Sequence, residues 1–216
     1  MKPNRQWVLV KNRIITDLRS AFGNCPQYFF SEHDLHSVLY GLAQEQLEHQ
    51  ELTTLDGYKT CIVHHEYPTP FRCDMKEYSF RRTSDYERTL RGGLYKRGHY
   101  DLVILNPEFV EKNELDIVCG KDYKKVKSIL PKLTFKPLIW ACEIIYFPII
   151  HVLPQDGVRI VEQDMLKIKE TLDFGFAEFG SVHVFTSHQQ REALQLQQQT
   201  AQLAQKHNVE TTFSAV

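Results

Sequence analysis

The sequence is short of every signature that names a chemistry at sight. It contains no Walker loop, no Gly-x-Gly-x-x-Gly, no Gly-x-Ser-x-Gly and no His-Glu-x-x-His. The usual phosphate-loop, dinucleotide, acyl-transfer and zinc-protease patterns are therefore missing. A spanning hydrophobic run is missing too. The longest apolar stretch, 138–153, is interrupted by Glu143, Pro148 and His151. It falls short of the roughly 20 residues a transmembrane helix needs, and we read it as a buried strand and the loop after it, with no membrane partner. The apolar run Trp7–Val10 is too short for a signal-peptide core.

Cysteine is sparse. Cys25, Cys61, Cys73, Cys119 and Cys142 are odd in number and show no Cys-x-x-Cys spacing. That favours reduced thiols in a cytoplasmic protein over a disulfide scaffold or a zinc site. An excess of either charge is lacking as well. Twenty-six bases against 27 acids leave a net charge of −1, so nothing global points to nucleic acid or to disorder. What is present is an ordinary globular composition, 42% hydrophobic and 25% charged over 216 residues. Such a chain buries a full core without staples, and we expect a single domain over residues 1–216.

Periodicity predicts the elements. Trp7, Val10, Ile14, Leu18 and Ala21 recur at helical spacing over 4–21, with Gly23 as a stop signal. A second helix starts at Ser31, with Asp34 three residues on in a capping-box pattern. Strands are expected over 60–67, closed by Pro68 and Pro70, then over 99–106 and 138–147. A short helix falls near 123–130, a longer one over 158–172, a strand over 181–186, a glutamine-rich helix over 188–207 and a last strand over 209–213. This order predicts an α/β layer with a mixed sheet, and a right-handed crossover through the helix at 158–172.

Residues 72–97 stand apart. They carry eight bases and four acids, a local +4 that leaves −5 for the rest of the chain. Tyr78, Phe80, Tyr86 and Tyr95 are interleaved. Such a segment suits phosphate tracking with base stacking, and equally a surface insertion that neutralises its own charges.

The most informative pair is Asp101 with Glu143. Asp101 lies near the start of the strand Gly98-His99-Tyr100-Asp101-Leu102-Val103-Ile104-Leu105, and Glu143 lies midway through an apolar strand. A carboxylate there is costly unless paired, protonated or on a metal. Two of them on neighbouring strands suit one hard divalent cation. Alternation puts Ile62, His64 and Glu66 on one strand face, so Glu66 is a third candidate acid, with His64 beside it; the alternative for Glu66 is a solvated strand end. His33 and His36 have metal-ligand spacing but no third ligand nearby in sequence, and read as a solvated face. Cys142 reads as a small core residue.

The Gly-x-Tyr-Asp-Leu-Val-Ile-Leu strand, the strand centred on Glu143 and the following helix with Glu162-Gln163-Asp164 and Leu166-Lys167-Ile168-Lys169 together resemble the PD-(D/E)XK nuclease superfamily. The resemblance covers residues 58–187. It implies a restriction-endonuclease-like mixed sheet flanked by helices, preceded by two N-terminal helices. It implies a Mg²⁺- or Mn²⁺-dependent endonuclease, a hydrolase of nucleic acid phosphodiesters, and by analogy a homodimer. Asp101 and Glu143 would hold the metal, Glu66 would assist, and Arg81, Arg82, Arg88 and Arg91 would position the DNA or RNA backbone. The family pattern also expects lysine two positions after the glutamate. Here that position is Ile145. Lys167 and Lys136 are candidates to replace it. Without a replacement, the alternative is a catalytically inactive nuclease-fold protein that binds nucleic acid or protein.

Overall fold

The first helix, α1 (Arg5–Asn24), forms because Lys11, Ile14, Ile15, Leu18 and Phe22 repeat at three- and four-residue spacing and bury one face. Gly23 does not stop it; the helix runs one residue further. The computed structural model describes residues 5–74, 79–81, 95–121, 123–147, 154–187 and 191–216. Helix α2 (Glu32–Gln46) begins as the capping pattern predicts. The Asp34 carboxylate accepts from the backbone N–H groups of Ser31 and Phe30, both at 2.8 Å. These bonds, Ser31 first, hold its pKa below the ordinary carboxylate value.

A two-stranded ladder follows, β1 (Glu51–Thr53) with β2 (Lys59–Cys61). The main sheet contains β3 (Val63–Asp74), β4 (Ser79–Arg81), β5 (Tyr95–Leu105), β6 (Leu138–Phe147), β7 (Ala177–Thr186) and β8 (Glu210–Ala215). Its order is β4-β3-β5-β6-β7-β8. The β3–β4 and β3–β5 pairs are antiparallel and the β7–β8 pair is parallel, so the sheet is mixed. The helices between strands are α3 (Pro107–Glu111), α4 (Leu115–Val118), α5 (Tyr123–Ile129), α6 (Pro154–Asp173) and α7 (Arg191–His207). The chain is an α/β fold with this mixed sheet flanked by helices. Among the described residues no helix is long and apolar enough to cross a membrane.

Pro68 and Pro70 do not close β3. The strand continues to Asp74, and the register with β5 shifts between Pro68 and Arg72. An irregularity of this kind is where a strand tolerates residues that cannot donate to the ladder.

The chain divides into two compact units. One comprises residues 1–50, 142–169 and 180–216. Its core centres on Phe22, whose ring lies 5.1 Å from Phe185, 5.4 Å from Phe29 and 6.0 Å from Tyr146. Tyr146 donates its hydroxyl to the Phe29 carbonyl at 2.8 Å. Lys11 pairs with Glu210 at the start of β8. Beside them His183 is fully buried, and its ring nitrogens meet the hydroxyls of Thr212 and Ser181, each at 2.8 Å.

The other unit comprises residues 51–141 and 170–179. The β3–β5 ladder is its spine. Tyr67 donates its hydroxyl to the Val118 carbonyl at 2.6 Å and so ties β3 to the end of α4. The hydroxyls of Tyr100 and Thr171, both buried, meet at 2.6 Å. Asn106 caps α3, accepting from the Glu108 N–H at 3.0 Å, with Pro107 at the first helical position.

Burial pushes His183 down to about 3, with the positive charges of Lys11 and Arg19 acting in the same direction. The folded protein therefore keeps this ring neutral while the unfolded chain protonates near pH 6.5. The stability contributed is present above pH 6.5 and is lost as pH falls toward 3. Between pH 7 and pH 5 this costs about 2 kcal/mol at 1.36 kcal/mol per unit. Urea unfolding at the two pH values should show that loss, and His183→Gln should flatten it.

Candidate functional site

Strand β6 is buried along its whole length. Its residues Leu138-Ile139-Trp140-Ala141-Cys142 and Ile144-Ile145-Tyr146-Phe147 are apolar and cover both faces, as expected of a strand inside a covered sheet. Cys142 is indeed a core residue, fully buried. Glu143 stands among them at 1% exposure. An unpaired carboxylate there would cost several kcal/mol.

Helix α6 supplies the partner. Val161, Met165 and Ile168 form its fully buried stripe. Lys167 sits at the margin of that stripe, and its ammonium donates to Glu143 Oε2 at 2.6 Å. The same ammonium lies 3.0 Å from Asp164 Oδ1, one helical turn back. The Lys167 side chain is only 12% exposed and that of Asp164 25%. Of the two lysines considered as replacements for Ile145, Lys167 therefore reaches Glu143. Lys136 is exposed. Ile145 itself is a core residue at 2% exposure.

Glu66 and Asp101 meet in the other unit. His65 pairs with Leu102 and Tyr67 with Tyr100, which brackets Glu66 opposite Asp101 on antiparallel strands. Each offers a carboxylate oxygen, and these lie within 4.8 Å of one another. Glu66 is exposed and Asp101 half-buried, so water reaches the pair. Two unit charges at that distance repel by about 1 kcal/mol even in water. Oxygens ligating one hard cation at about 2.1 Å stand roughly 3 to 4.2 Å apart, so small side-chain adjustments bring this pair into the range of Mg²⁺ or Mn²⁺.

Glu66 also has φ of +51°, a left-handed backbone in the middle of a strand. A non-glycine residue there is strained by about 1–2 kcal/mol. This breaks the alternation expected from the sequence. His65 and Glu66 are both exposed in place of alternating. His64 does not join the acids. Its Nε2–H donates to the Cys61 carbonyl at 2.7 Å, and burial holds its pKa below the ordinary imidazole value.

Asp101 lies on β5 and Glu143 on β6, hydrogen-bonded neighbours in the sheet. Asp164 went unrecognised as a site residue in the sequence. Its signal is its place one turn before Lys167 on the helix that follows the glutamate strand. His36 is half-buried, with Nε2 3.9 Å from Glu32 and its ring 5.7 Å from that of His33, so it is not a freely solvated face.

Among the arginines, Arg81 stands opposite Arg72 across β4 and β3, and Arg72 stands opposite Arg97 across β3 and β5. Three arginines thus occupy one row of the ladder. Arg82, Arg88 and Arg91 lie outside the described residues.

Removing one partner of a buried ion pair costs about 3–5 kcal/mol, because the other charge stays buried. Lys167→Met should lower the unfolding free energy by that amount, and adding Glu143→Gln should recover most of it; equal losses in the single and double variants would refute the pairing. Glu66→Gly relieves the left-handed strain and one carboxylate repulsion, and should raise the melting temperature by about 2–4 °C, at roughly 1 kcal/mol for a chain of this size.

No protein-family model, no curated protein and no solved structure matches this chain, so the site stands on its own residues and geometry.

Proposed function

We propose that this chain is a metal-dependent nuclease of restriction-endonuclease-like type that hydrolyses nucleic acid phosphodiesters. The observation that carries the reading is the Lys167 ammonium 2.6 Å from Glu143. It supplies, from α6, the positive charge that Ile145 cannot. Two further features support it. Glu66 and Asp101 offer oxygens within 4.8 Å of each other, and Arg81, Arg72 and Arg97 share a ladder row.

In this reading Asp101 would hold a Mg²⁺ or Mn²⁺ ion with Glu66 as its companion acid, while Glu143, the other expected ligand, belongs to the other unit. A bound ion supplies Lewis-acid stabilisation of charge on the phosphate and lowers the pKa of a water. Lys167, paired with Glu143 at 2.6 Å, is the ammonium this reading expects beside the glutamate. The arginine row positions the phosphate backbone without reading sequence. The step from fold to activity is analogy, because one fold hosts many functions.

A second reading rests on a specific observation. The Lys167 ammonium is already engaged by two carboxylates and is 12% exposed. A purely structural ion pair looks the same, and the protein would then be a nuclease-fold binding module without catalysis.

Incubation of plasmid, single-stranded DNA and RNA with Mg²⁺ or Mn²⁺ separates the two. The nuclease reading expects metal-dependent cutting that Asp101→Ala abolishes and Lys167→Met lowers by 10²-fold or more, the scale of a lost electrostatic group. It also expects Mn²⁺ to raise the melting temperature of the wild type and not that of Asp101→Ala, since a ligand that binds only the folded state stabilises it. Absence of cutting on all three substrates favours the binding module.

A further inference from the structure

A second basic region lies in the unit that carries Glu66 and Asp101, and the sheet does not contain it. Between residues 121 and 136 the chain has six lysines, Lys121, Lys124, Lys125, Lys127, Lys132 and Lys136, against the one acid Asp122. The segment carries +5, and since the whole chain carries −1, the remainder carries −6. So large a local excess in a chain of near-zero charge marks a surface that attracts anions.

We propose that this lysine segment is a docking surface for the sugar-phosphate backbone of a nucleic acid, in the unit that carries the Glu66–Asp101 pair. The inference rests on the nucleic-acid reading above and adds to it where the substrate lies.

The segment is fixed at both ends to the strands of the site. At one end α5 packs on β3 and α4, with Val126 buried at 1% exposure as its anchor. Tyr67, the residue after Glu66, holds the Val118 carbonyl just ahead of α5. At the other end Asn106, immediately after β5, donates its side-chain N–H to the Lys136 carbonyl at 3.0 Å and its backbone N–H to the Pro137 carbonyl at 2.8 Å. Tyr67 pairs with Tyr100, and β5 ends at Leu105. From Tyr100 to Asn106 the two anchor points are therefore about 20 Å apart along the strand direction, at 3.4 Å per residue. That length covers several phosphates of a strand, at 3.4 Å of helix axis each.

Four of the lysines reach solvent. Lys121, Lys125, Lys132 and Lys136 are exposed. Among the described residues no carboxylate lies within 4.0 Å of Lys121, Lys132 or Lys136. Lys125 meets Glu114 at 3.6 Å in a pair that is half exposed on both sides, and such a pair is worth little and yields readily to a phosphate. Among the described residues, the large exposed apolar side chains lie elsewhere, and none falls between 121 and 136. A membrane-binding surface would combine its lysines with apolar side chains that enter the bilayer. A lysine surface without them suits a polyanion held by charge, and counterion release supplies the affinity.

The test is binding by fluorescence anisotropy with labelled 20-nucleotide single-stranded and duplex DNA, in EDTA so that nothing is cut, from 50 to 200 mM salt. The wild type is compared with Lys121→Gln/Lys125→Gln/Lys132→Gln/Lys136→Gln, and with the milder Lys132→Gln/Lys136→Gln. All four positions are exposed, so thermal melts should agree with the wild type. The quadruple variant should bind at least tenfold more weakly at 100 mM salt. Its salt slope should flatten by about 0.7 to 0.9 for each lysine that touched a phosphate, and the double variant should fall between. Unchanged affinity and slope in both variants overturn the proposal, as does a wild type that binds neither DNA. Loss of binding to phosphatidylserine vesicles alone, with no DNA binding, would reassign the surface to membranes. Asp101→Ala serves as the control that separates the two readings. If it binds DNA normally and no protein cuts, catalysis fails and the docking surface stands; if the wild type cuts and the lysine variants bind normally, the reverse holds.

Discussion

A glutamate in the middle of a wholly buried strand is the constraint around which this chain is arranged. Glu143 sits in β6 at 1% exposure. Placing it there requires a positive partner, and α6 provides Lys167 at 2.6 Å. That requirement fixes the rotation of α6. Val161, Met165 and Ile168 must face the core, and Lys167 must stand at the edge of that stripe. Replacing a buried ion pair by apolar residues of similar volume is often neutral or stabilising. A charged site in an otherwise apolar layer is the use we propose for this arrangement.

The Glu66–Asp101 pair carries a second electrostatic cost. Glu66 and Asp101 place two carboxylates close together on adjacent strands. Glu66 does so from a left-handed backbone that glycine would adopt without strain. Strain of this kind persists where the surrounding ladder enforces it, and it gathers at functional sites. Here the pairs His65–Leu102 and Tyr67–Tyr100 hold the register on either side, so the ladder carries the strained residue between them.

Much of this was legible from residue order. The strand at 138–147 and the capping box at Ser31 and Asp34 follow from apolar run length and cap chemistry. The pairing of helices and strands near the chain's end follows from periodicity. Other parts were hidden for physical reasons. The prolines in β3 read as a stop because a regular ladder excludes them, yet a register shift accommodates them. Strands β1 and β4 are three residues each, too short to show a period. His64 reads as a companion of Glu66 by alternation, but a left-handed residue breaks alternation, and the imidazole turns to the Cys61 carbonyl.

Composition and pattern by themselves determined the α/β class, the carboxylates Asp101, Glu143 and Glu66, and the absence of lysine at position 145. Each of these is a property of residue identity along one strand or helix, where spacing alone decides which face a side chain takes. Only the tertiary structure decided which lysine meets Glu143 and which acid stands opposite Asp101. Lys167 is 24 positions from Glu143, and Glu66 is 35 from Asp101. Contacts of that separation depend on how α6 is rotated over β6 and on the register of β3 against β5, and side-chain packing in three dimensions sets both.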